Sequence, residues 1–158
     1  MATIIFPGRF QPFHNGHLMV VQGMIKLSDN VVIAICDGKK NGDEDPFTVD
    51  QRRDMIGAAL LSVDIMDVTL AVVKDAESDE QWAHNVLDAA GNPGEPTIWS
   101  GDEKVRQIFE AKGVATKKIV PVPGIVGEDI RKMIREKNSA WRSKVPAGAM
   151  DVIEEEIK

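Results

Sequence analysis

Cysteine is almost absent from this chain of 158 residues, and its scarcity excludes several classes of protein. The single cysteine, Cys36, lies in the apolar run VVIAIC, where we expect a buried thiol. One cysteine cannot form a disulfide within the chain, and it cannot supply a Cys-based metal site. A reducing cytoplasm fits this composition.

Long hydrophobic runs are also missing. No apolar stretch approaches the ~20 residues that a membrane span needs, and the first residues lack the basic-then-apolar layout of a signal peptide. No internal repeat or low-complexity tract is visible. With 43% apolar and 28% charged residues, the chain is expected to form one cytoplasmic domain over residues 1–158.

The chain has no excess of positive charge: its formal net charge is −6 at pH 7 and its sequence pI is near 5.1. This balance argues against non-specific binding to nucleic acid. An acidic protein can still bind nucleotides where its positive charge is local. The candidates for such local charge are Arg9, Lys39, Lys40, Arg52, Arg53, Arg131 and Lys132.

Apolar, β-branched runs alternate with helical patterns along the sequence. Strands are expected at TIIF (3–6), VVIAIC (31–36), DVTLAVV (67–73), TIW (97–99) and KIVPV (118–122). Helices are expected at 17–27, 49–61, 80–90, 103–112, 128–137 and 147–157. The alternation predicts an α/β fold, a doubly wound parallel sheet with helices on both faces.

Local signals mark several helix ends. Thr48 with Gln51 predicts a capping box, Asp79 an N-cap, and Gly113 a C-terminal stop. Ligands of such folds bind at the carboxyl ends of the strands. Four segments that follow strands are therefore expected to converge on one site: the first turn, the long polar loop 37–48, which we expect to be mobile until a ligand binds, 100–102 and 124–129.

The most informative stretch is GRFQPFHNGH, from Gly8 to His17, which follows the first strand and opens the first helix. His14 and His17 would stand at the helix N-terminus, where backbone N–H groups and the helix dipole favour a phosphate. Gly16 has no side chain, so a nucleotide would have room against the backbone.

These residues resemble the nucleotidyltransferase family that carries a His-x-Gly-His signature. The wider GRFQPFHNGHL is similar to its archaeal-type nicotinamide-nucleotide adenylyltransferases. The resemblance continues through Pro-Phe-Thr-x-x-x-Arg (46–52), WSGDEKVRQIF and the closing WRSKVPAGAMDVIEEEI. It implies a Rossmann-like transferase that joins ATP, bound with Mg²⁺, to nicotinamide mononucleotide, giving NAD and pyrophosphate. Relatives of this type usually assemble, so a homo-oligomer is expected.

Adenylyl transfer suits the residue types found here. The attacking phosphate monoester is already ionised at neutral pH, so no general base is required. Catalysis then consists of positioning the substrates and stabilising charge on the phosphates. By the resemblance, His17 would contact the α-phosphate, His14 would assist toward the β-phosphate, and Arg131 would clamp phosphate as the third catalytic residue.

The resemblance also implies two sets of binding residues and no metal ligand among them. ATP would be bound by Gly8, Arg9, Phe10, His14, Gly16, His17, Gly101, Gly127, Ile130 and Arg131. The acceptor would be bound by Arg52, Trp82 and Asp102, with the Trp82 indole stacked on the nicotinamide ring. The alternatives are that Arg52 is an exposed helix residue and that Trp82 belongs to the core. Arg53 is expected at the surface and Trp141 in a packing role.

One segment departs from the family pattern, in which hydroxyl side chains hold the β- and γ-phosphates. Here the segment reads IVGEDIRKMI, so that Val126, Glu128 and Asp129 stand at the hydroxyl positions. The two carboxylates favour the helix dipole but repel a triphosphate unless Mg²⁺ lies between them. Two alternatives therefore stay open: a related transferase with another acceptor (pantetheine phosphate, or cytidylyl transfer), and a nucleotide-binding regulatory protein without turnover.

Overall fold

The computed structural model describes residues 3–36, 42 and 44–157. Its strands are β1 Thr3–Gly8, β2 Val31–Ile35, β3 Val68–Val72, β4 Pro96–Ser100 and β5 Ala115–Lys118. Its helices are α1 Asn15–Ile25, α2 Val49–Ser62, α3 Asp79–Ala89, α4 Glu103–Glu110, α5 Gly127–Arg135 and α6 Ala147–Glu156, with a 3-10 helix at Ser139–Lys144. Lys39 and Lys40, expected to supply local positive charge, lie outside the described residues, as do residues 37–41 and 43 of the loop 37–48 that was expected to be mobile.

The chain divides into two compact units. The sheet unit consists of the described parts of Met1–Arg9, Gln22–Gly38 and Asp67–Val120. The helical unit consists of the described parts of Phe10–Val21, Lys39–Met66 and Pro121–Lys158.

The sheet unit contains five parallel strands in the order β3-β2-β1-β4-β5. The order runs outward from β1 in one direction to β3, then returns to β4 and β5 on the other side, as in Rossmann folds. All five residues of β2 are buried, which is why its sequence is continuously apolar rather than alternating. The predicted α/β class with a doubly wound parallel sheet is confirmed.

The core of the sheet unit joins the strands to α3 and α4. It contains Ile5, Ala34, Val86, Ile98 and Phe109, all fully buried. Cys36 belongs to the same cluster at 4% exposure, so the predicted buried thiol is confirmed.

The prediction of the last strand at KIVPV was wrong, because β5 ends at Lys118. The ladder continues for one bond, in which the N–H of Ile119 donates to the Ser100 carbonyl at 3.1 Å. Pro121 follows two residues later and has no N–H to donate to the ladder. The apolar pattern therefore extends beyond the hydrogen bonding that defines the strand.

Most helix boundaries fall within two residues of their predicted positions. The capping box is confirmed: the N–H of Gln51 donates to Thr48 Oγ1 at 3.1 Å, and the N–H of Thr48 donates to Gln51 Oε1 at 2.8 Å. The cap at Asp79 was wrong, because the Ser78 hydroxyl accepts from the N–H of Gln81 instead. Gly113 follows α4 with a φ of +78°, as expected of a glycine stop. The 3-10 helix has no counterpart in the sequence predictions.

In the helical unit, α2 and α6 pack at close range. A Cβ atom at Gly148 would lie 2.6 Å from the Cβ of Ala58, so this contact requires glycine. At the start of α2, Gln51 Nε2 donates to the carboxylate of Glu156 at 2.6 Å. Among the residues that the structure describes, no helix is long and apolar enough to cross a membrane.

Candidate active site

His14 and His17 cap the start of α1 for one another. The N–H of Leu18 donates to the His14 carbonyl at 3.1 Å, which makes His14 the N-cap residue of the helix. The N–H of His17 donates to Nδ1 of His14 at 3.3 Å, and the N–H of His14 donates to Nδ1 of His17 at 3.1 Å. This is the reciprocal geometry of a capping box, built from two imidazoles rather than a hydroxyl and a carboxylate.

The reciprocal bonds fix the protonation of both rings. An Nδ1 that accepts from a main-chain N–H carries no proton, so each neutral ring holds its proton on Nε2. The rings are stacked with centroids 3.6 Å apart. Burial lowers the pKa of His14 from 6.5 to about 4. Burial, and then the neighbouring His14, lower the pKa of His17 well below its ordinary value. The pair therefore offers two neutral Nε2–H donors at neutral pH.

Aromatic rings surround His17. The Phe10 ring meets it edge-on at a centroid distance of 4.9 Å, and the Phe13 ring stacks on it at 5.4 Å. Phe10 and Phe13 are buried, with 2% and 0% exposure. The predicted ATP-binding residue Phe10 is thus a wall of the histidine pair, and it holds the ring of His17 in one orientation.

Gly16 makes room for His14. A Cβ at this position would lie 2.9 Å from Cε1 of His14 and 3.8 Å from Cγ2 of Ile125. From the sequence, the absence of a side chain at Gly16 was expected to leave room for a nucleotide against the backbone. In the structure, the imidazole of His14 occupies the place of the missing side chain.

Arg131 lies against the same turn. Its Nη1 donates to the main-chain carbonyl of Gln11 at 2.9 Å, and its Nη2 lies 3.8 Å from the carboxylate of Glu44. A Cβ at Gly127 would come within 3.2 Å of Nη1 of Arg131. Glycine at position 127 therefore leaves room for the guanidinium. Ile130, predicted as an ATP contact, is 1% exposed.

The start of α5 has no side-chain cap. Val126 is its N-cap residue, and the valine side chain makes no capping hydrogen bond. Glu128 and Asp129 occupy the first turn and are exposed. Where the resemblance implies a hydroxyl at position 126, this chain has a valine, which has no oxygen to accept from the first N–H groups of the helix.

Arg52 is not the exposed helix residue considered as an alternative. Its side chain is fully buried, and its Nε donates to the Thr48 carbonyl at 3.2 Å. A buried guanidinium requires hydrogen-bond partners, which ties Arg52 to the start of α2. Arg53 is half exposed and lies 3.7 Å from Asp50, as expected of a surface residue.

Five predicted residues belong to the sheet unit: Gly8, Arg9, Trp82, Gly101 and Asp102. Gly8 ends β1, and its carbonyl accepts from the N–H of Cys36 at 2.9 Å. Arg9 is exposed.

Trp82 and Asp102 already have structural contacts. Trp82 is half-buried and meets Phe109 edge-on at 5.7 Å, at the margin of the core. Asp102 caps α4, accepting from the N–H of Lys104 at 2.9 Å. A Cβ at Gly101 would lie 3.3 Å from the carbonyl oxygen of Ile119. Trp141, in the helical unit, is 2% exposed, as its predicted packing role requires.

The helical unit holds the other predicted residues: Phe10, His14, Gly16, His17, Arg52, Gly127, Ile130 and Arg131. Sequence reasoning missed two of their neighbours, Gln11 and Glu44, which contact Arg131. Gln11 stands inside the quoted motif, so its position was a signal that went unused. Among the described residues, no cluster of three or more His, Cys, Asp or Glu side chains is arranged to hold a metal ion.

A family model for cytidylyltransferase-like proteins matches residues 5–141. The chain belongs to this family. Its relatives include the nicotinamide-nucleotide adenylyltransferase of Methanolobus tindarius, 30% identical over 98% of this chain and 89% of that protein. The nicotinamide-nucleotide adenylyltransferase of Methanococcus aeolicus is 33% identical over 94% of this chain and 86% of that protein. The resemblance drawn from the His-x-Gly-His motif is confirmed.

A solved structure supports the fold of this cytidylyltransferase-like chain. It is a bifunctional NMN adenylyltransferase/ADP ribose pyrophosphatase from Francisella tularensis, complexed with AMP and a manganese ion. The TM-score is 0.72 at 20% identity, over 99% of this chain and 52% of that one. The chain thus spans about half of that bifunctional protein.

Proposed function

We propose that this protein transfers the adenylyl group of ATP to nicotinamide mononucleotide, giving NAD and pyrophosphate. Two archaeal relatives of this name align over nearly the whole chain. The observation that carries the proposal is the His14–His17 pair, two neutral Nε2–H donors held by one capped turn. Such donors suit phosphate oxygens on which charge changes during transfer.

The reaction needs no proton transfer to begin. An oxygen of the nucleotide's phosphate forms a bond to the α-phosphorus of ATP, and the bond from that phosphorus to the β-phosphate bridging oxygen breaks. His17 donates to the α-phosphate, His14 to the β-phosphate, and Arg131 binds triphosphate oxygens. Mg²⁺ bound to ATP would supply additional charge neutralisation. The chain's own contribution is to hold donors in fixed positions, so that little reorganisation accompanies the reaction.

In the sheet unit, the proposed roles rest on sequence position. Gly8, Arg9 and Gly101 are assigned to ATP, and Trp82 and Asp102 to the acceptor. Arg52, in the helical unit, is also assigned to the acceptor. A single domain, a cytoplasmic location, assembly into homo-oligomers and the lack of nucleic-acid binding stay predictions.

Incubation with ATP, Mg²⁺ and a panel of phosphate acceptors tests the proposal, with pyrophosphate release as the measurement. Nicotinamide mononucleotide should give the highest kcat/KM. A preference for pantetheine phosphate, or for CTP with a small phosphate, would assign the chain to another branch of the family. Tight ATP binding without pyrophosphate release would identify a regulatory nucleotide-binding protein.

Trp82 tests the acceptor specifically. Trp82→Ala should weaken binding of nicotinamide mononucleotide by about 1–3 kcal/mol, the scale for stacking of a base on an aromatic ring. ATP binding should change little. The nucleotide should also quench tryptophan fluorescence, and Trp82→Phe should lose that part of the quench while Trp99 and Trp141 still emit. Unchanged acceptor affinity in Trp82→Ala would leave Trp82 with only its core contact to Phe109.

A further inference from the structure

Gln11 lies in the middle of the GRFQPFH turn, and its side chain is buried at 3% exposure. Its amide makes two hydrogen bonds with the main chain of one residue, Phe47. Nε2 donates to the Phe47 carbonyl at 2.9 Å, and the N–H of Phe47 donates to Oε1 at 2.9 Å. Bonds to both the N–H and the carbonyl of one residue fix distance and orientation, as in a hydrogen-bonded pair of strand residues.

The main chain of Gln11 has a second connection. Its carbonyl accepts from Nη1 of Arg131 at 2.9 Å, whereas the other contact of this guanidinium, with Glu44, is 3.8 Å long. Gln11 therefore holds the segment before α2 with its side chain and the Arg131 guanidinium with its backbone. A displacement of the Gln11 peptide would move the shorter of the two Arg131 contacts.

The backbone next to Gln11 needs such support. Phe10 has a φ of +51°, a conformation that a bulky residue adopts only where its surroundings hold it. The Phe10 ring in turn lies against His17. Gln11 is thus the neighbour of Phe10, the strained residue whose ring contacts His17. The carbonyl of Gln11 also accepts a hydrogen bond from Arg131.

We propose that Gln11 is a positioning residue for adenylyl transfer: by fixing its own peptide against Phe47, it holds Arg131 in place for the triphosphate. The inference rests on the proposed function only for its kinetic readout, since Arg131 binds ATP whether or not transfer follows. It distinguishes Gln11 from a residue that merely stabilises the turn, because its effect passes through Arg131.

A double-mutant cycle with Gln11→Met and Arg131→Ala tests the inference. Methionine keeps the length of the side chain and removes both hydrogen bonds. In the otherwise wild-type protein, Gln11→Met should lower kcat/KM for ATP by roughly 10²-fold, the scale for a small misplacement of a positioned group. The KM for ATP should rise more than the KM for nicotinamide mononucleotide. In the Arg131→Ala background, Gln11→Met should cost less than about threefold. An equal loss in both backgrounds would overturn the proposal.

Gln51→Met provides the matched control. Gln51 also uses its amide in two hydrogen bonds, with Thr48 and Glu156, so its loss lowers the stability of the same unit. This variant should keep the kinetics for ATP, and a loss of kcat/KM that matches Gln11→Met would overturn the proposal. Should Gln11→Met not fold, the same cycle is decided with Gln11→Glu, which keeps the acceptor for Phe47.

Calorimetry with ATP alone separates this inference from the proposed function. If the wild-type protein transfers nothing to nicotinamide mononucleotide, the proposed function fails, but the cycle can still be measured on the Kd for ATP. Gln11→Met should weaken ATP binding in the presence of Arg131 and not in its absence. Equal weakening in both backgrounds would refute the positioning role independently of turnover.

Discussion

Two helix starts in the helical unit are built in opposite ways. At α1, the N–H groups of His14 and His17 are bound by imidazole Nδ1 atoms. At α5, the N-cap residue is Val126, whose side chain makes no capping hydrogen bond. The start of α1 presents two ring N–H donors, and the backbone amides of the same two histidines are already hydrogen-bonded. The start of α5 lacks a side-chain cap.

The difference assigns a separate task to each start. A backbone amide that is bound by a side chain cannot also bind a phosphate, so under the proposed function α1 would act through its Nε2–H groups rather than through those two amides. At α5, the uncapped amides and Arg131 are the groups suited to phosphate oxygens. The sequence predicted that backbone amides at α1 would favour a phosphate, but two of these amides are bound by imidazole rings. The sequence also indicated a loss of hydroxyls at α5, and the structure has valine at the N-cap position there.

Of the changes at the two helix starts, removing an imidazole from α1 should have the largest effect on activity. His17→Ala should lower turnover by roughly 10²–10³-fold, the scale for one lost transition-state donor, while ATP binding weakens far less. The rate of pyrophosphate release, followed by stopped-flow or steady-state assay, measures the change in turnover. His84→Ala, which removes the exposed histidine of α3, is the control and should be neutral. Near-normal turnover of His17→Ala would mean that the catalytic role assigned to His17 is wrong.

Changing the guanidinium at α5 should come next. Arg131→Lys keeps the charge but cannot form the same fork of donors. Hydrogen bonds to charged groups contribute about 1.5–3 kcal/mol, so ATP affinity should fall by roughly 10- to 100-fold. Calorimetry measures it, with Arg135→Lys, exposed on the same helix, as the control. Equal ATP affinity in Arg131→Lys and the wild type would remove Arg131 from the ATP site.

Giving α5 a cap should have a smaller effect. Val126→Ser with Glu128→Thr introduces hydroxyls and removes one carboxylate. ATP binding should tighten, most clearly at low Mg²⁺, where the carboxylate is least compensated. The helix itself should gain about 1 kcal/mol, the usual contribution of an N-cap hydroxyl. Val126→Ser alone separates the two contributions, because it adds a cap and leaves the charge. Unchanged ATP binding in the folded double variant would show that Glu128 points away from the phosphates.

Acid should weaken the α1 cap, and the sign of this effect on stability is defined. His14 takes a proton near pH 4 when folded and near pH 6.5 when unfolded, because burial disfavours its charged form. Its contribution to stability is therefore complete above pH 6.5 and is lost as the pH falls through about 4. Denaturant unfolding at several pH values measures this loss. His14→Asn, whose side chain can cap without titrating, should show a shallower decline. Parallel pH profiles of the two proteins would contradict the buried neutral imidazole.

Features that depend on neighbours in sequence were predictable. Buried β2 shows as an apolar run, the Thr48–Gln51 box as a spacing, and the helix start at His14–His17 as a motif. Each of these leaves a pattern within a few consecutive residues, which one sequence displays directly.

Features that depend on distant partners were not. The Gln11 amide meets Phe47 across 36 positions, and its carbonyl meets Arg131 across 120. Periodicity carries no information about which distant segments meet. Arg52 illustrates the same limit, because an arginine in a helix pattern gives no sign of complete burial. The early end of β5 depended on hydrogen bonding along an edge strand, which hydrophobicity does not report.

The lone thiol of Cys36 is a natural probe of local opening in the sheet. It is the only cysteine of the chain and is 4% exposed, with Sγ 3.5 Å from the Ala34 carbonyl. A reagent in solution can modify it only when the end of β2 separates from its neighbours. The labelling rate of the unmodified protein therefore reports how often this part of the sheet opens, without any engineered probe. For any substitution outside the sheet, the labelling rate of Cys36 shows whether the substitution changes how often this part of the sheet opens.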